Sequence, residues 1–304
     1  MQALLLFLAL LGLSTATPLP KEPLFPDEEA PSELVGLHLR LSTFTVQIFG
    51  GIHSQLGQWP SQVFIYYTKN STGKKSMCGG TLISPRHVLT AAHCTELTEP
   101  SLAMTGVTDI KTALTSKDVQ IREISSFERH PDYDEDDTFA NDIAVLTLNA
   151  SVTLDKTAQL MKIKADDSAL IGVGHGMVTG YGVHLVLHNQ MQNGRFLLWA
   201  DVPFKNNTWC TEHWKTISGN KVHIKPNQIC YGAQGKGTGP GDSGGPVQVL
   251  VGGSWYQVGA VSFGVGQVDR MPDQDEYPSV GIRIAPYCDF LEKATKNAFK
   301  CIRD

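Results

Sequence analysis

The sequence predicts an all-β chain with one C-terminal helix. Three observations carry this: short runs rich in β-branched and aromatic residues, turn residues punctuating them, and helical spacing confined to the tail. The 304 residues, 41% hydrophobic and 18% charged, have the composition of a globular protein that can bury a core. A formal charge of -5 leaves no basic surplus for nucleic acid or an anionic membrane.

Taken in order, residues 1–16 hold an apolar run from Ala3 to Gly12, then Ser14-Thr15-Ala16, small residues where a signal peptidase inspects the chain. The run is well short of the roughly 20 residues that span a bilayer, so a removed signal peptide and a secreted, extracellular protein are expected, with no membrane anchor. Residues 17–47 hold five prolines and the acidic run Asp27-Glu28-Glu29 and read as a propeptide. Residues 1–47 carry five acidic and two basic side chains, so much of the net charge belongs to this leader.

Beyond it, strands are expected over Val63–Tyr67, Thr81–Ile83, Val88–Thr90, Ile143–Leu148, Val247–Val251 and Val258–Val261, each bounded by Gly, Pro, Asn or Ser. Helical spacing is confined to about Pro286–Phe299, where Tyr287, Phe290, Leu291 and Ala294 share a face.

Three segments carry chemistry. His93 follows the apolar strand within Ala91-Ala92-His93-Cys94, where small neighbours and a cysteine can fix its imidazole. A single histidine is most often a surface residue, so it gains meaning only with partners. Asp142 opens an apolar strand, unlike Asp132, Asp134, Asp136 and Asp137, which sit in a polar, solvated run. A buried carboxylate requires a hydrogen-bonded or charged partner, and a histidine base requires an orienting acceptor. Ser243 lies in Gly239-Pro240-Gly241-Asp242-Ser243-Gly244-Gly245-Pro246, where glycines permit close backbone approach and the amides of Gly241 and Ser243 can face an oxyanion. The serine segment also matches G-x-S-x-G, but that hydrolase class needs its histidine after the serine, and the last histidine here is His223.

With Ile48-Phe49-Gly50-Gly51, Gln58-Trp59-Pro60, Cys78-Gly79-Gly80, Thr179-Gly180-Tyr181-Gly182 and Val261-Ser262-Phe263-Gly264 in the same order, the chain from Ile48 to the tail resembles the trypsin/chymotrypsin-like serine protease family. The resemblance implies two six-stranded antiparallel barrels, at about 48–160 and about 161–304, the second followed by the C-terminal helix. It implies a serine endopeptidase that works through an acyl-enzyme, with Ser243 as nucleophile, His93 as base and Asp142 as orienter. Gly241 and Ser243 would form the oxyanion hole, and Ser262, Phe263 and Gly264 would pair with the substrate backbone. No cofactor or metal is implied. The expected partners are a protein or peptide substrate, an activating protease and protein inhibitors, and the chain is expected to be a monomer.

In this family a cut before the Ile-x-Gly-Gly segment frees an α-amino group that pairs with the aspartate preceding the nucleophile, here Ile48 and Asp242. Gln47 stands where most zymogens carry Arg or Lys, and a cut after Arg40 would leave Leu41, seven residues early. An unusual activator or stepwise trimming is therefore expected. The base of the specificity pocket falls at Gly237, with Gly264 leaving the wall open and Ser279 close by. Lacking a buried carboxylate, this pocket favours an uncharged residue before the scissile bond. The acidic residues Asp269, Asp273, Asp275 and Glu276 of the following loop are expected to add a preference for basic residues at the rim.

Six cysteines allow 15 connectivities. The resemblance implies Cys78–Cys94 and Cys210–Cys230, leaving Cys288 with Cys301, while the family's interdomain bridge is absent because Gly176 and Val249 stand at its two sites. On one continuous helix Cys288 and Cys301 would lie about 20 Å apart, so the helix must stop and the chain turn back. Asn70, Asn149 and Asn206 head sequons compatible with glycosylation. The rival reading from another class is a protease-like binding protein that has lost catalysis. Its usual sign, a missing triad residue, is not found.

Overall fold

The computed structural model describes residues 48–192 and 194–303. The signal and propeptide assignments, residues 1–16 and 17–47, lie outside the described residues.

After a two-residue strand, β1 (Ile52–His53), come β2 (Gln62–Lys69), β3 (Lys75–Ser84), β4 (His87–Thr90), β5 (Leu97–Thr105), β6 (Gln120–Arg129) and β7 (Ala144–Leu148). Strands β2 to β7 form a closed antiparallel barrel in the order β2-β3-β4-β7-β6-β5. The continuous apolar run in β2 has a physical cause. Val63, Ile65 and Tyr67 pack inside this barrel, whereas Phe64 and Tyr66 join a second cluster with Tyr181 and Leu197, so both faces of the strand are buried.

The second half comprises α1 (Ser168–Ile171), β8 (His175–Gly180), the hairpin β9 (Leu185–Leu187) and β10 (Gln190–Gln192), β11 (Leu198–Pro203), α2 (Asn207–Ile217), β12 (Gln228–Tyr231), β13 (Pro246–Val251), β14 (Ser254–Phe263), β15 (Ser279–Arg283) and α3 (Cys288–Ala294). Its sheet runs β1-β11-β8-β13-β14-β15-β12. The two ends meet where Phe204 bridges Tyr231, with the Lys205 amide donating to the Cys230 carbonyl at 2.8 Å. The second barrel is thus a rolled sheet joined by a short bridge rather than by a full ladder.

Two apolar clusters cross between the halves. In one, Trp59 meets Trp255 and Trp199 at ring separations of 4.9 and 5.8 Å. In the other, Leu89, Ile143 and Val145 pack with Ala260, Ile282 and Leu291.

Two helical expectations change. The tail helix is shorter than its apolar spacing suggests, because Lys296 and Asn297 both adopt positive φ and the Asn297 amide closes onto the Glu292 carbonyl at 2.7 Å. This reversal brings Cys301 back to Cys288, with 5.8 Å between Cα atoms. The second change is α2, a helix that the spacing did not reveal. Its buried stripe is chiefly Cys210 and Trp214, one turn apart, and Asn206 caps it by accepting from the Trp209 amide at 3.1 Å. The remaining disulfides, Cys78–Cys94 and Cys210–Cys230, are also formed.

Candidate active site

The site lies where the first barrel faces the loops of the second. His93 occupies a one-turn helix (Ala92–Thr95) just after β4, and Asp142 precedes β7. Since β4 and β7 are paired, with Thr90 opposite Ala144, the two side chains emerge side by side from one barrel end. Asp142 is fully buried. Its Oδ2 accepts from His93 Nδ1 at 2.8 Å and its Oδ1 from the His93 backbone amide at 3.0 Å. The Ser262 hydroxyl donates to Oδ2 at 2.6 Å. Burial alone would lower the imidazole pKa, but the Asp142 charge and hydrogen bond outweigh it and hold His93 above its ordinary value. Burial likewise opposes the Asp142 charge, yet His93 and the hydroxyl of Ser262 hold its carboxyl below the usual carboxylate range.

Ser243 reaches this seam through its backbone. The Gly79 amide donates to the Ser243 carbonyl at 2.7 Å, and the Cys78–Cys94 disulfide ties Gly79 to the residue after His93. Gly244 completes the approach with φ +76°, and a Cβ there would lie 2.1 Å from the Thr90 hydroxyl and 2.9 Å from the Ala91 amide. Among the described residues the Ser243 hydroxyl has no hydrogen-bond partner, and the amides of Gly241 and Ser243 make no hydrogen bond to protein. Gly241 stands at φ +97° beside Met77.

Asp242 is buried, and the Gly182 and Gly239 amides of the second half donate to its carboxylate at 2.7 and 2.9 Å. Burial pushes its carboxyl up to about 7 against the pull of these amides and that of Tyr181. Ile48 is fully buried among Val178, Leu198 and Val247, and the carbonyl of Phe49 accepts from the Gly237 amide at 3.1 Å. The segment starting at Ile48 is therefore hydrogen-bonded to the loop that carries Gly237.

A cavity of about 410 Å³ opens beside Ser243 and takes in Ser262, Phe263, Gly264 and Ser279. A Cβ on Gly264 would meet only the Ser279 hydroxyl, at 3.9 Å, so this wall is open. Gly237, the expected base, does not line the cavity. The Gln274 side chain covers it and forms the base with Thr238 and Ser279. The acidic rim also differs from expectation. Asp275 is paired with Lys205 at 2.7 Å and Glu276 faces His213, while the loop presents Val268, Met271 and Tyr277 to the cavity. Phe139 went unnoticed in the sequence. It stacks on Phe263 at 5.5 Å and meets the His93 ring edge-on at 5.6 Å, held by a backbone at φ +52°. Its only sequence signal is its place two residues before Asn141-Asp142. Asn70, Asn149 and Asn206 are all exposed.

A histidine oriented by a buried carboxylate, with a serine brought to the same seam between two barrels, is the layout of a serine-type hydrolase. A family profile described as Trypsin matches residues 48–291. The chain is 29% identical to Serine protease 28 of Mus musculus over 231 residues, covering 75% of this chain and 83% of that protein. It is 31% identical to Venom serine protease Bi-VSP of Bombus ignitus over 252 residues, 80% and 67% of the two chains. It is 29% identical to Chymotrypsin-like elastase family member 1 of Homo sapiens over 249 residues, 81% and 91% of the two chains. The chain belongs to the trypsin family and is a serine-type endopeptidase, with proteins as its substrates.

Proposed function

We propose that this endopeptidase is secreted as a zymogen and hydrolyses peptide bonds through Ser243, His93 and Asp142, in a catalytic unit comprising residues 48–304 with residues 1–16 and 17–47 removed. The observation that carries the reading is the doubly held imidazole, with Asp142 accepting from both Nδ1 and the backbone amide of His93. This leaves Nε2 as the free base. Ser243 Oγ attacks the scissile carbonyl while His93 takes its proton, then returns it to the leaving amine. The acyl-enzyme formed on Ser243 is hydrolysed by water through the same base. The unoccupied amides of Gly241 and Ser243 receive the oxyanion, each donor typically worth about 3 kcal/mol. Substrate backbone adds as a strand along Ser262–Gly264, beside a bulge where β14 loses its register with β15.

Activation follows from Asp242. A fully buried carboxyl with no cationic partner among the described residues gains most from a buried ammonium, and a cut before Ile48 would supply one. Secretion is supported by the apolar run with small residues before position 17 and by a relative named as a venom protease. Among the described residues no helix is long and apolar enough to cross a membrane. The exposed Asn70, Asn149 and Asn206 are the glycan positions, and a mass shift on glycosidase treatment would reveal them. An activating protease and protein inhibitors are the further partners of this reading.

Fluorophosphonate labelling before and after processing at Ile48 tests it. Labelling of Ser243 only in the processed form is expected. No labelling in either form would instead point to a binding protein, and an active species that retains residues before Ile48 would refute the activation scheme.

A further inference from the structure

The floor of the cavity beside Ser243 is made of neutral polar side chains, and one of them comes from an unexpected place. Gln274 belongs to the loop after Gly264, yet it is only 3% exposed. It occupies a slot cleared by two glycines. A Cβ on Gly237 would stand 1.7 Å from Gln274 Oε1 and one on Gly232 would stand 2.7 Å from it, and both glycines have φ values, +153° and +125°, that other residues rarely adopt.

The hydrogen bonds around it run in one direction. Since Thr238 Oγ1 donates to Ser279 Oγ at 2.9 Å, Tyr231 is the donor in its 3.2 Å contact with Thr238. Ser279 Oγ donates to Gln274 Oε1 at 2.7 Å, with the Thr238 carbonyl a longer alternative at 3.4 Å. Gln274 Nε2 spends its hydrogens on the carbonyls of Thr238 and Met271, at 2.7 and 3.3 Å. The side-chain donors of Thr238, Ser279 and Gln274 are thus used within the protein, and what remains on this floor for a substrate is acceptor capacity on Oε1. Among the described residues no carboxylate lines the cavity.

We infer that Gln274 is the residue that sets specificity for the substrate side chain before the scissile bond. This rests on the protease reading above and names the substrate class. The favoured side chain is apolar, or uncharged with a hydrogen-bond donor at its tip. Lysine and arginine are rejected because their charge would be buried without a counter-ion. Aspartate and glutamate are rejected because the side chains of Thr238, Ser279 and Gln274 have no donor left to replace lost water. Met271, Val261 and Phe263 supply the apolar walls.

The test uses the full chain processed at Ile48, peptides that differ only in the residue before the scissile bond, and fluorophosphonate labelling to count competent Ser243. The wild type is expected to cleave after leucine, methionine or tyrosine at least about a hundredfold better than after lysine, arginine, aspartate or glutamate. Gln274→Glu puts a carboxylate on the floor and should raise kcat/KM for arginine relative to leucine by at least about tenfold. Its carboxylate would also face the Thr238 carbonyl, so Gln274→Ala serves as the second variant. With the slot emptied, cleavage after large aromatic residues should rise relative to leucine. Variants that label normally but keep the wild-type profile overturn the inference, as does a wild type that cleaves freely after charged residues. A processed wild type that does not label overturns the protease reading itself, and the inference falls with it.

Discussion

Asp142 grips His93 at two points, taking the ring Nδ1 on one carboxylate oxygen and the backbone amide on the other, at 2.8 and 3.0 Å. One contact fixes the tautomer and the other fixes where the ring starts from the chain. Asp142→Asn should keep the fold but place an amide donor where an acceptor is needed. A fall in kcat of about 10⁴ is expected, read by acylation-burst kinetics. A loss under tenfold would show that the imidazole does not depend on this contact.

The pH profile follows from the same pair. In the proposed mechanism the neutral imidazole is the base, and Asp142 favours the protonated form, so His93 stays charged above its ordinary 6.5. Activity should therefore be lost as pH falls through a midpoint higher than 6.5, visible in kcat/KM for the free enzyme. The pair's contribution to stability has the opposite sense for His93: it is complete below 6.5 and is lost as pH rises through the folded value. An acid limb centred below 6.5 would contradict the assignment.

Asp242 in the uncut chain titrates near 7 because burial penalises its charge. A raised value in the folded state means that this group's contribution is fully present below about 4 and is lost as pH rises through about 7. Between pH 5 and 8 the Tm of the uncut chain should fall more steeply than that of its Asp242→Asn variant. Parallel Tm curves would show that the carboxyl is already neutralised by another partner.

Gly176 and Val249, the expected sites of an interdomain bridge, lie on the paired strands β8 and β13 of the second sheet, so a bridge there would not join the halves. The halves meet instead through packing and hydrogen bonds such as Gly79 to Ser243. Trp59 packs across this junction against Trp199 and Trp255. Trp59→Ala should cost about 3–5 kcal/mol in denaturant unfolding, and a biphasic transition would show the two halves separating. A cost below about 1 kcal/mol would place the adhesion elsewhere.

Replacing both Cys288 and Cys301 should cost about 3 kcal/mol, since their bridge closes a 13-residue loop. For a domain of this size the Tm would drop by roughly 5–10 °C. Peptidase activity at 25 °C should survive, because this bridge lies on the tail packing and not at the seam that holds His93.

The strands were legible because each is a run of β-branched or aromatic residues bounded by breakers, and Val63–Tyr67 read clearly even with both faces buried. α2 was hidden for the converse reason: its buried contacts are few and its signal lies in the Asn206 cap rather than in an apolar stripe. Gln274 could not be read at all. A glutamine in an acidic loop has no local feature marking it as buried, and its slot is made by Gly232 and Gly237, some forty residues away.

The sequence by itself determined the barrel class, the six cysteines and the residue types at His93, Asp142 and Ser243, because these depend on local pattern and on order along the chain. Only the tertiary structure decided what lines the cavity beside Ser243. Which side chain covers Gly237, which acids are already paired with Lys205 or His213, and which ring rests on Phe263 are matters of distance between segments. A sequence records composition and spacing within a segment, whereas a pocket is lined by whichever segments packing brings together.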